Sequence, residues 1–470
     1  MSDAPDSEHG ERGLQGEHGG QGARAKPRAA ETGRPGAWSA ERAEDHLRSL
    51  ELFGMRFGLD RIRRMMTVLD SPQQRFQAVH VVGTNGKSST TRLTAAILER
   101  HGLRTGAYLS PHLVSYTERV QVSERDLATH EFAAAIARAA WAAERVNRTL
   151  AENDHVTQFE LLTAAALWAL AERGVQVAVV EAGLGGRYDA TSVIDSQVTA
   201  LTNVGLEHVR WLGPTVRDIA AEKLAVLKPG TTLALGAQLP AEVLELARAE
   251  AARKRARIVQ VRLSAESLAS AAPAPLLARG VFQRRNLALA RVAAAAYLDS
   301  AGIELREELV AAAGAATLVP GRLQVVAEDP LTLLDGAHNP DAVDALVESL
   351  PELLAGRPLA LVLGVLDDKD AAAMLGTLLP LCARAWFTAP PSARALSPAA
   401  LQSLARQLGF DDVAVEAQPQ RALAAARDWA REQPGGAVVL AAGSIYLVGE
   451  LLGALERSHD GAHDSVRRSG

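Results

Sequence analysis

Apolar residues change their spacing several times along this chain, and each change predicts an element. Between Trp38 and Leu69 the positions Leu47, Leu50, Leu52, Leu59, Ile62, Met65 and Met66 recur at helical intervals, interrupted at Phe53-Gly54 and Phe57-Gly58. After Pro72, short β-branched runs alternate with longer helical ones. Phe76–Val82, Gly106–Leu109, Val175–Glu181 and Gln197–Asn203 predict strands, and Ser88–His101, Glu131–Asn147 and Phe159–Arg173 predict helices. Strands that short and apolar, separated by helices, belong to a parallel sheet buried on both faces.

A second strand–helix series begins near Pro320-Gly321. Leu323–Ala327, Leu331–Leu334, Leu359–Val365, Ala385–Thr388, Val413–Glu416 and Ala437–Ala442 predict its strands. Asn339-Pro340 opens one of its helices, asparagine as N-cap and proline in the first turn. The expected organisation is a larger α/β domain over 38–318, a smaller one over 319–457, and disordered tails over 1–37 and 458–470. The first tail is rich in Gly, Glu and Arg and lacks the apolar segment of a signal peptide.

Composition narrows the function class by exclusion. The 470 residues carry 50 Lys and Arg against 55 Asp and Glu, a net charge of -5, which is no footprint for nucleic acid. No run of about 18 uncharged apolar residues predicts a membrane span. The one cysteine, Cys382, excludes an intrachain disulfide and fits a reducing, cytoplasmic setting. Lysine occurs only at 26, 87, 223, 228, 254 and 369, so a lysine inside a motif stands out.

One such lysine closes the segment Gly83-Thr84-Asn85-Gly86-Lys87-Ser88-Ser89, between a predicted strand and helix. Glycines let backbone N–H groups turn toward an anion, the helix presents its positive end, and Lys87 adds a mobile charge. Only two residues separate the glycines, where a general P-loop has four. A plain Gly-Asn-Gly turn is the alternative. Ser110-Pro111-His112 follows another strand, where α/β sheets bind ligands, or is simply a turn. Glu181 ends an apolar strand before Gly183, Gly185 and Gly186, so its carboxylate emerges beside the loop as a hard oxygen ligand suited to Mg²⁺. His208, after the next strand, is a candidate metal ligand, and Lys223 sits on an apolar stretch that would lower its pKa. Asp335, His338 and Asn339 cluster at a strand–helix turn of the second half.

Together, and in this order, these segments resemble the Mur ligase superfamily, and within it folylpolyglutamate synthase, including its bifunctional dihydrofolate synthase form, from about Trp38 to Leu455. The resemblance implies a P-loop nucleotide-binding α/β domain with a mostly parallel sheet, followed by a smaller Rossmann-like α/β domain. It implies an ATP-dependent ligase in which a substrate carboxylate becomes an acyl phosphate that L-glutamate then attacks. Gly83, Thr84, Asn85, Gly86, Lys87, Ser88 and Ser89 would hold the phosphates. Ser110 and Glu181 would ligate one Mg²⁺, and Glu181 with His208 a second. Lys223 matches a lysine often carbamylated in the family, and Asn286, Arg322, Asp335 and His338 would contact the nucleotide. Arg187 and Asp189, in Gly-Gly-Arg-Tyr-Asp-Ala-Thr, resemble the bifunctional form and would bind dihydropteroate.

Three departures from the family pattern stand out: Ser88 replaces a glycine, Glu207 replaces an aspartate before His208, and Leu224-Ala225-Val226 follows Lys223 in place of Ala-Gly-Ile. The reading expected is a monomer using ATP, two Mg²⁺ and small-molecule substrates: dihydropteroate, reduced folates and L-glutamate. The need for a monovalent cation stays open. Polyglutamylation alone, a peptidoglycan ligase of the same superfamily, or a nucleotide-binding protein without catalysis are the competing readings. The peptidoglycan enzymes carry a further N-terminal substrate domain, for which about 80 residues leave little room.

Overall fold

The computed structural model describes residues 37–50, 58–262 and 276–468. Two sheets organise them. The first has eight strands: β1 (Gln77–Val82), β2 (Thr105–Tyr108), β3 (Val120–Val122), β4 (Arg125–Asp126), β5 (Val177–Glu181), β6 (Ser196–Leu201), β7 (Thr232–Leu235) and β8 (Arg257–Gln260). Their spatial order is β4-β3-β2-β5-β1-β6-β7-β8. All neighbouring pairs are parallel except β2–β3 and β3–β4, which are antiparallel.

β1 lies between β5 and β6, neither of them its neighbour in sequence. Ligands of open α/β sheets sit in the crevice at such a switch point, beyond the strands' carboxyl ends. The strands are buried on both faces because helices cover both. Alternate residues of β1 and β5 divide the core: Ala78, Ala178 and Val180 pack with α1 (Ala40–Ser49), α2 (Asp60–Val68), α4 (Thr129–Asn147) and α5 (Gln158–Glu172). Val79, Val81, Val177 and Val179 pack with α3 (Lys87–Arg100) and a helix over Val281–Ser300. α1 and α2 are the two helices predicted before Leu69. Their interruption at Leu52, Phe53-Gly54 and Phe57 lies outside the described residues, as does the predicted tail before Ala37.

The second sheet has six strands: β9 (Gln324–Glu328), β10 (Leu331–Leu334), β11 (Leu359–Leu363), β12 (Arg384–Phe387), β13 (Val413–Val415) and β14 (Val438–Ala442), ordered β13-β12-β11-β14-β10-β9. It is parallel apart from the edge hairpin β9–β10. Asn339 does cap the helix over Pro340–Leu354, its side chain accepting from the Ala342 N–H. In the chain the two sheets are separated by the stretch between the helix ending at Ala316 and β9.

Two differences from the sequence reading have physical causes. β3, β4, β7 and β8 fall outside the predicted strands; β4 (Arg125–Asp126) and β8 (Arg257–Gln260) are edge strands of exposed or half-buried residues, with no apolar run to mark them. The final helix runs over Ile445–Arg468, so the backbone past Ser458 is helical where a loose tail was expected. Apolar spacing ends at Leu455, but no proline interrupts the segment and a formed helix propagates at little cost. Among the described residues no helix is long and apolar enough to cross a membrane.

Candidate functional site

The loop after β1 is held by β6's continuation. Asn203 takes the Thr84 N–H on its carbonyl at 3.0 Å and the Asn85 N–H on its Oδ1 at 2.8 Å. Thr202 Oγ1 donates to the Asn85 carbonyl at 2.7 Å. Gly83 is required there: at φ 152° a Cβ would lie 1.8 Å from Thr202 Oγ1 and 3.2 Å from the Asn203 carbonyl. Gly86, left-handed at φ 79°, turns the chain into α3 beneath Asn286, whose Oδ1 would meet a Cβ at 2.5 Å. We expect Gly83→Ala to destabilise the fold by about 1–3 kcal/mol and to remove nucleotide stabilisation. Thermal unfolding with and without ADP checks this, and an unchanged midpoint with intact ADP response would contradict it.

Two lysines converge on the Gly83 carbonyl. Lys87 Nζ donates to it at 3.1 Å and to the Thr84 carbonyl at 2.9 Å, while Lys223 Nζ donates to it at 2.8 Å. Lys223 lies on a helix over Val216–Leu224 and is only 3% exposed. Burial, with Lys87's charge beside it, pulls its pKa down to about 7.

Glu181 ends β5 opposite Val81, which places its carboxylate against the loop. Its Oε1 accepts from Ser88 Oγ at 2.9 Å and its Oε2 from the Ser110 N–H at 3.1 Å. Burial raises its pKa, opposed by Lys87's charge and by these two hydrogen bonds. Ser88, where the family pattern has glycine, therefore orients this carboxylate. A buried carboxylate that makes no ion pair among the described residues and lines a cavity is suited to a divalent cation. Among the described residues no three His, Cys, Asp or Glu side chains cluster tightly enough to hold a metal by themselves. That fits Mg²⁺, which is commonly held by one or two carboxylates plus phosphate oxygens and water.

His208 caps a short helix over Val209–Leu212 in the left-handed region, φ 52°. Glu207 Oε1 lies 3.6 Å from His208 Nε2 and 3.5 Å from His338 Nε2, joining the two sheets' loops. Burial would push the Glu207 carboxyl up, but His338, Lys87 and His208 outweigh that and hold it well below the carboxylate range. His338 Nδ1 donates to the Gly336 carbonyl at 2.8 Å, fixing which nitrogen faces Glu207. A second bridge joins loop to loop: Asn85 and Asn339 exchange side-chain amide hydrogen bonds at 3.2 and 3.0 Å. Asp335 is buried, accepting from the Leu323 and Ala337 N–H groups at 2.8 Å, and burial raises its pKa against the charge of Arg322.

One cavity of about 430 Å³ gathers Thr84 to Ser89, Ser110, Glu181, Glu207, His208, Lys223, Asn286, Arg322, Asp335 and His338. Gly83 supports it from beneath. Arg187 and Asp189 are not brought in. Arg187 turns outward to Glu222, Nε to Oε1 at 2.8 Å. Asp189 is buried, its carboxylate spent on Thr191 and on the Leu184 N–H. Thr191 Oγ1 donates to Asp189, so His80 Nε2, 2.8 Å away, donates to Thr191. This buried chain ties down the glycine loop behind Glu181 and is no open substrate contact.

Phe159 and Arg119 also line the cavity and were not singled out as site residues. Phe159 packs where a Cβ on Gly183 would stand, 2.5 Å from its Cζ, and only the Thr157–Glu160 capping box marks the place in sequence. Arg119 donates through Nε to His112 Nδ1 at 2.9 Å. Burial and Arg119's charge pull the His112 pKa to about 3, so it stays a neutral acceptor.

Family models match the two sheets separately: the Mur ligase middle domain over residues 81–272, and the Mur ligase glutamate ligase domain over residues 321–445. A folylpolyglutamate synthase from Lacticaseibacillus casei is 32% identical over 406 residues, covering 82% of this chain and 92% of the relative. The structure of Mycobacterium tuberculosis folylpolyglutamate synthase complexed with ADP superposes with a TM-score of 0.81 at 30% identity, covering 88% and 98% of the two chains. That of a bifunctional folylpolyglutamate synthase/dihydrofolate synthase from Yersinia pestis, complexed with AMPPNP and Mn ion, gives 0.74 at 27% identity, covering 89% and 98%. The chain belongs to the folylpolyglutamate synthase/dihydrofolate synthase family of ATP-dependent ligases built from Mur ligase domains.

Proposed function

We propose that this chain joins L-glutamate to dihydropteroate and to reduced folates at the expense of ATP, through an acyl phosphate. The observation that carries the reading is the cavity in which the phosphate loop, Lys87 and the buried Glu181 carboxylate face residues of the second sheet. Lys87 and the loop N–H groups would hold the β- and γ-phosphates, with Asn286, Arg322, Asp335 and His338 around the nucleotide. Ser110, Glu181 and His208 would hold Mg²⁺, as one ion or two. When bound, that metal supplies positive charge between the substrate carboxylate and the γ-phosphate, oxygens that otherwise repel. The reading divides the chain at 38–318 and 319–457 and takes it as a monomer acting in the cytoplasm, where ATP and L-glutamate are plentiful.

Lys223, neutral in part near pH 7, is poised to take up CO₂ as a carbamate, and the buried chain of His80, Thr191 and Asp189 keeps the glycine loop in register. Two consequences follow for pH. Between about 7 and the ordinary 10.5, the folded protein binds fewer protons at Lys223 than the unfolded chain, so stability rises with pH there and the full cost is felt below 7. Turnover is expected to rise across pH 6 to 8, and more steeply with added bicarbonate. A pH–rate profile indifferent to bicarbonate would remove the carbamate.

The deciding assay is phosphate release with ATP, Mg²⁺ and L-glutamate, offering dihydropteroate and tetrahydrofolate separately. Release with both is expected. One feature favours the narrower reading, polyglutamylation alone: Arg187 and Asp189 stay out of the cavity. Release with tetrahydrofolate only would establish that narrower activity, and release with neither would sink the ligase reading.

A further inference from the structure

Gln283 and Asn286 stand one turn apart on one face of the helix over Val281–Ser300. Asn286 lines the main cavity above the phosphate loop: a Cβ on Gly86 would lie 2.5 Å from its Oδ1 and 3.5 Å from its Nδ2. That Nδ2 donates to Gln283 Oε1 at 3.0 Å. Gln283 itself is 0% exposed, and its Nε2 finds no partner among the described residues.

As a contribution to the fold this arrangement is unfavourable. A Gln–Asn pair three residues apart adds little to a helix, less than a buried amide N–H costs when it is left without an acceptor. Leucine or methionine, similar in volume, would fill the position without that cost. The pair is not needed to hold the helix in place either. The Val281 N–H donates to Ser349 Oγ at 2.9 Å, Arg284 pairs with Glu352 and Arg285 with Glu348, which pins the first turn to the helix over Pro340–Leu354. Farther along, Leu287, Ala290, Ala293 and Ala294 are packed in the core. What is left for Gln283 is to decide which way the Asn286 amide faces.

We propose that Gln283 is a positioning residue for nucleotide binding, acting through Asn286. The inference rests on the reading of Asn286 as a nucleotide contact. A carboxamide presents an acceptor at one end and donors at the other, and half a turn about its last bond exchanges them. By taking one Nδ2 hydrogen, the Gln283 oxygen keeps Asn286 Oδ1 toward Gly86 and leaves one Nδ2 hydrogen uncommitted. A side chain already held in its bound orientation has less freedom to lose when the ligand arrives, so the ligand binds more tightly. Gln283 thus lowers the stability of the empty protein and raises its affinity for nucleotide.

The test is calorimetric titration of ADP with Mg²⁺ into wild type, Gln283→Leu, Gln283→Met, Asn286→Ala and the double variant of Gln283→Leu with Asn286→Ala, beside thermal unfolding of each without ligand. Gln283→Leu and Gln283→Met are expected to weaken ADP binding by about three- to tenfold, the range one hydrogen bond carries. Their unliganded melting midpoints are expected to stay at or above that of wild type, where loss of a packing residue would lower them. The unbranched methionine covers a leucine that packs badly. In the Asn286→Ala background, Gln283→Leu is expected to weaken ADP no further, because the group it orients is gone. ADP affinity unchanged in both single variants at Gln283, midpoints lowered in both, or losses that add in the double variant would each overturn the proposal. ADP bound equally well by wild type and Asn286→Ala would fail the reading of Asn286 itself, a different result from Gln283 variants that match wild type while Asn286→Ala does not.

Discussion

Lys87→Ala is expected to lower the rate of phosphate release by about 10²–10³-fold, the range seen when one preorganised charge or donor at a reacting oxygen is removed. The reason is local. Lys87 is the first residue of α3, and its Nζ reaches back over the loop to the Gly83 and Thr84 carbonyls. Those carbonyls hold the ammonium over the bowl of N–H groups at the helix's positive end, where an anion binds. Lys223 cannot replace it, because its Nζ is committed to the same Gly83 carbonyl and is neutral in part near pH 7. Removing Lys87 should also raise the Lys223 pKa, since its charge is one of the causes of the depression. The variant's pH–rate profile should shift alkaline as its turnover falls. Near-normal turnover with an unshifted profile would mean that the loop does not hold the reacting phosphate.

The parts of the site that sequence made legible are those where chemistry and backbone coincide. Gly83 and Gly86 are glycines because Thr202 and Asn286 leave no space for a Cβ, and Lys87 opens a helix, so the motif reads directly as an anion cradle. Glu181 and Ser110 were legible because one ends and the other follows a buried strand whose end is fixed by the sheet. Lys223 stood out because lysine is scarce and its neighbours are apolar, and burial then supplies the lowered pKa. What sequence hid depends on distant partners. Glu222, 35 positions away, draws Arg187 outward, whereas Asp189 is spent locally on Thr191 and the Leu184 N–H, a turn that its place in a substrate-like motif masked. The Asn85–Asn339 and Glu207–His338 bridges join residues more than 100 positions apart. The fold was legible where strands are apolar and buried, as in β1 and β5, and not at the edge strands β4 and β8, whose exposed or half-buried residues are strands because they complete a sheet.

Glu181→Gln is expected to cost a further large factor, about 10²–10³-fold in turnover, and to abolish divalent-cation binding to the nucleotide complex. The substitution keeps the side chain's shape and can still accept from Ser88 Oγ or the Ser110 N–H, so the loop should stay in place. What it removes is the negative charge that Ser88 and the Ser110 N–H hold against the phosphate loop. In wild type, burial raises the Glu181 pKa and only Lys87, Ser110, Ser88 and Arg322 offset that. A divalent cation at the same carboxylate would favour the ionised form far more strongly, so metal affinity should fall as pH drops and the carboxyl protonates. Ser88→Gly separates charge from orientation. It restores the family's usual residue and frees Glu181 Oε1, so it should weaken Mn²⁺ binding by about 10–100-fold without abolishing it, the range in which loss of one supporting hydrogen bond falls. Mn²⁺ titration of the ADP complex, read by electron paramagnetic resonance, gives both results. Retention of Mn²⁺ by Glu181→Gln with wild-type affinity would take the metal away from this carboxylate and move it toward Glu207 and His208, a neighbouring carboxylate and imidazole that line the same cavity.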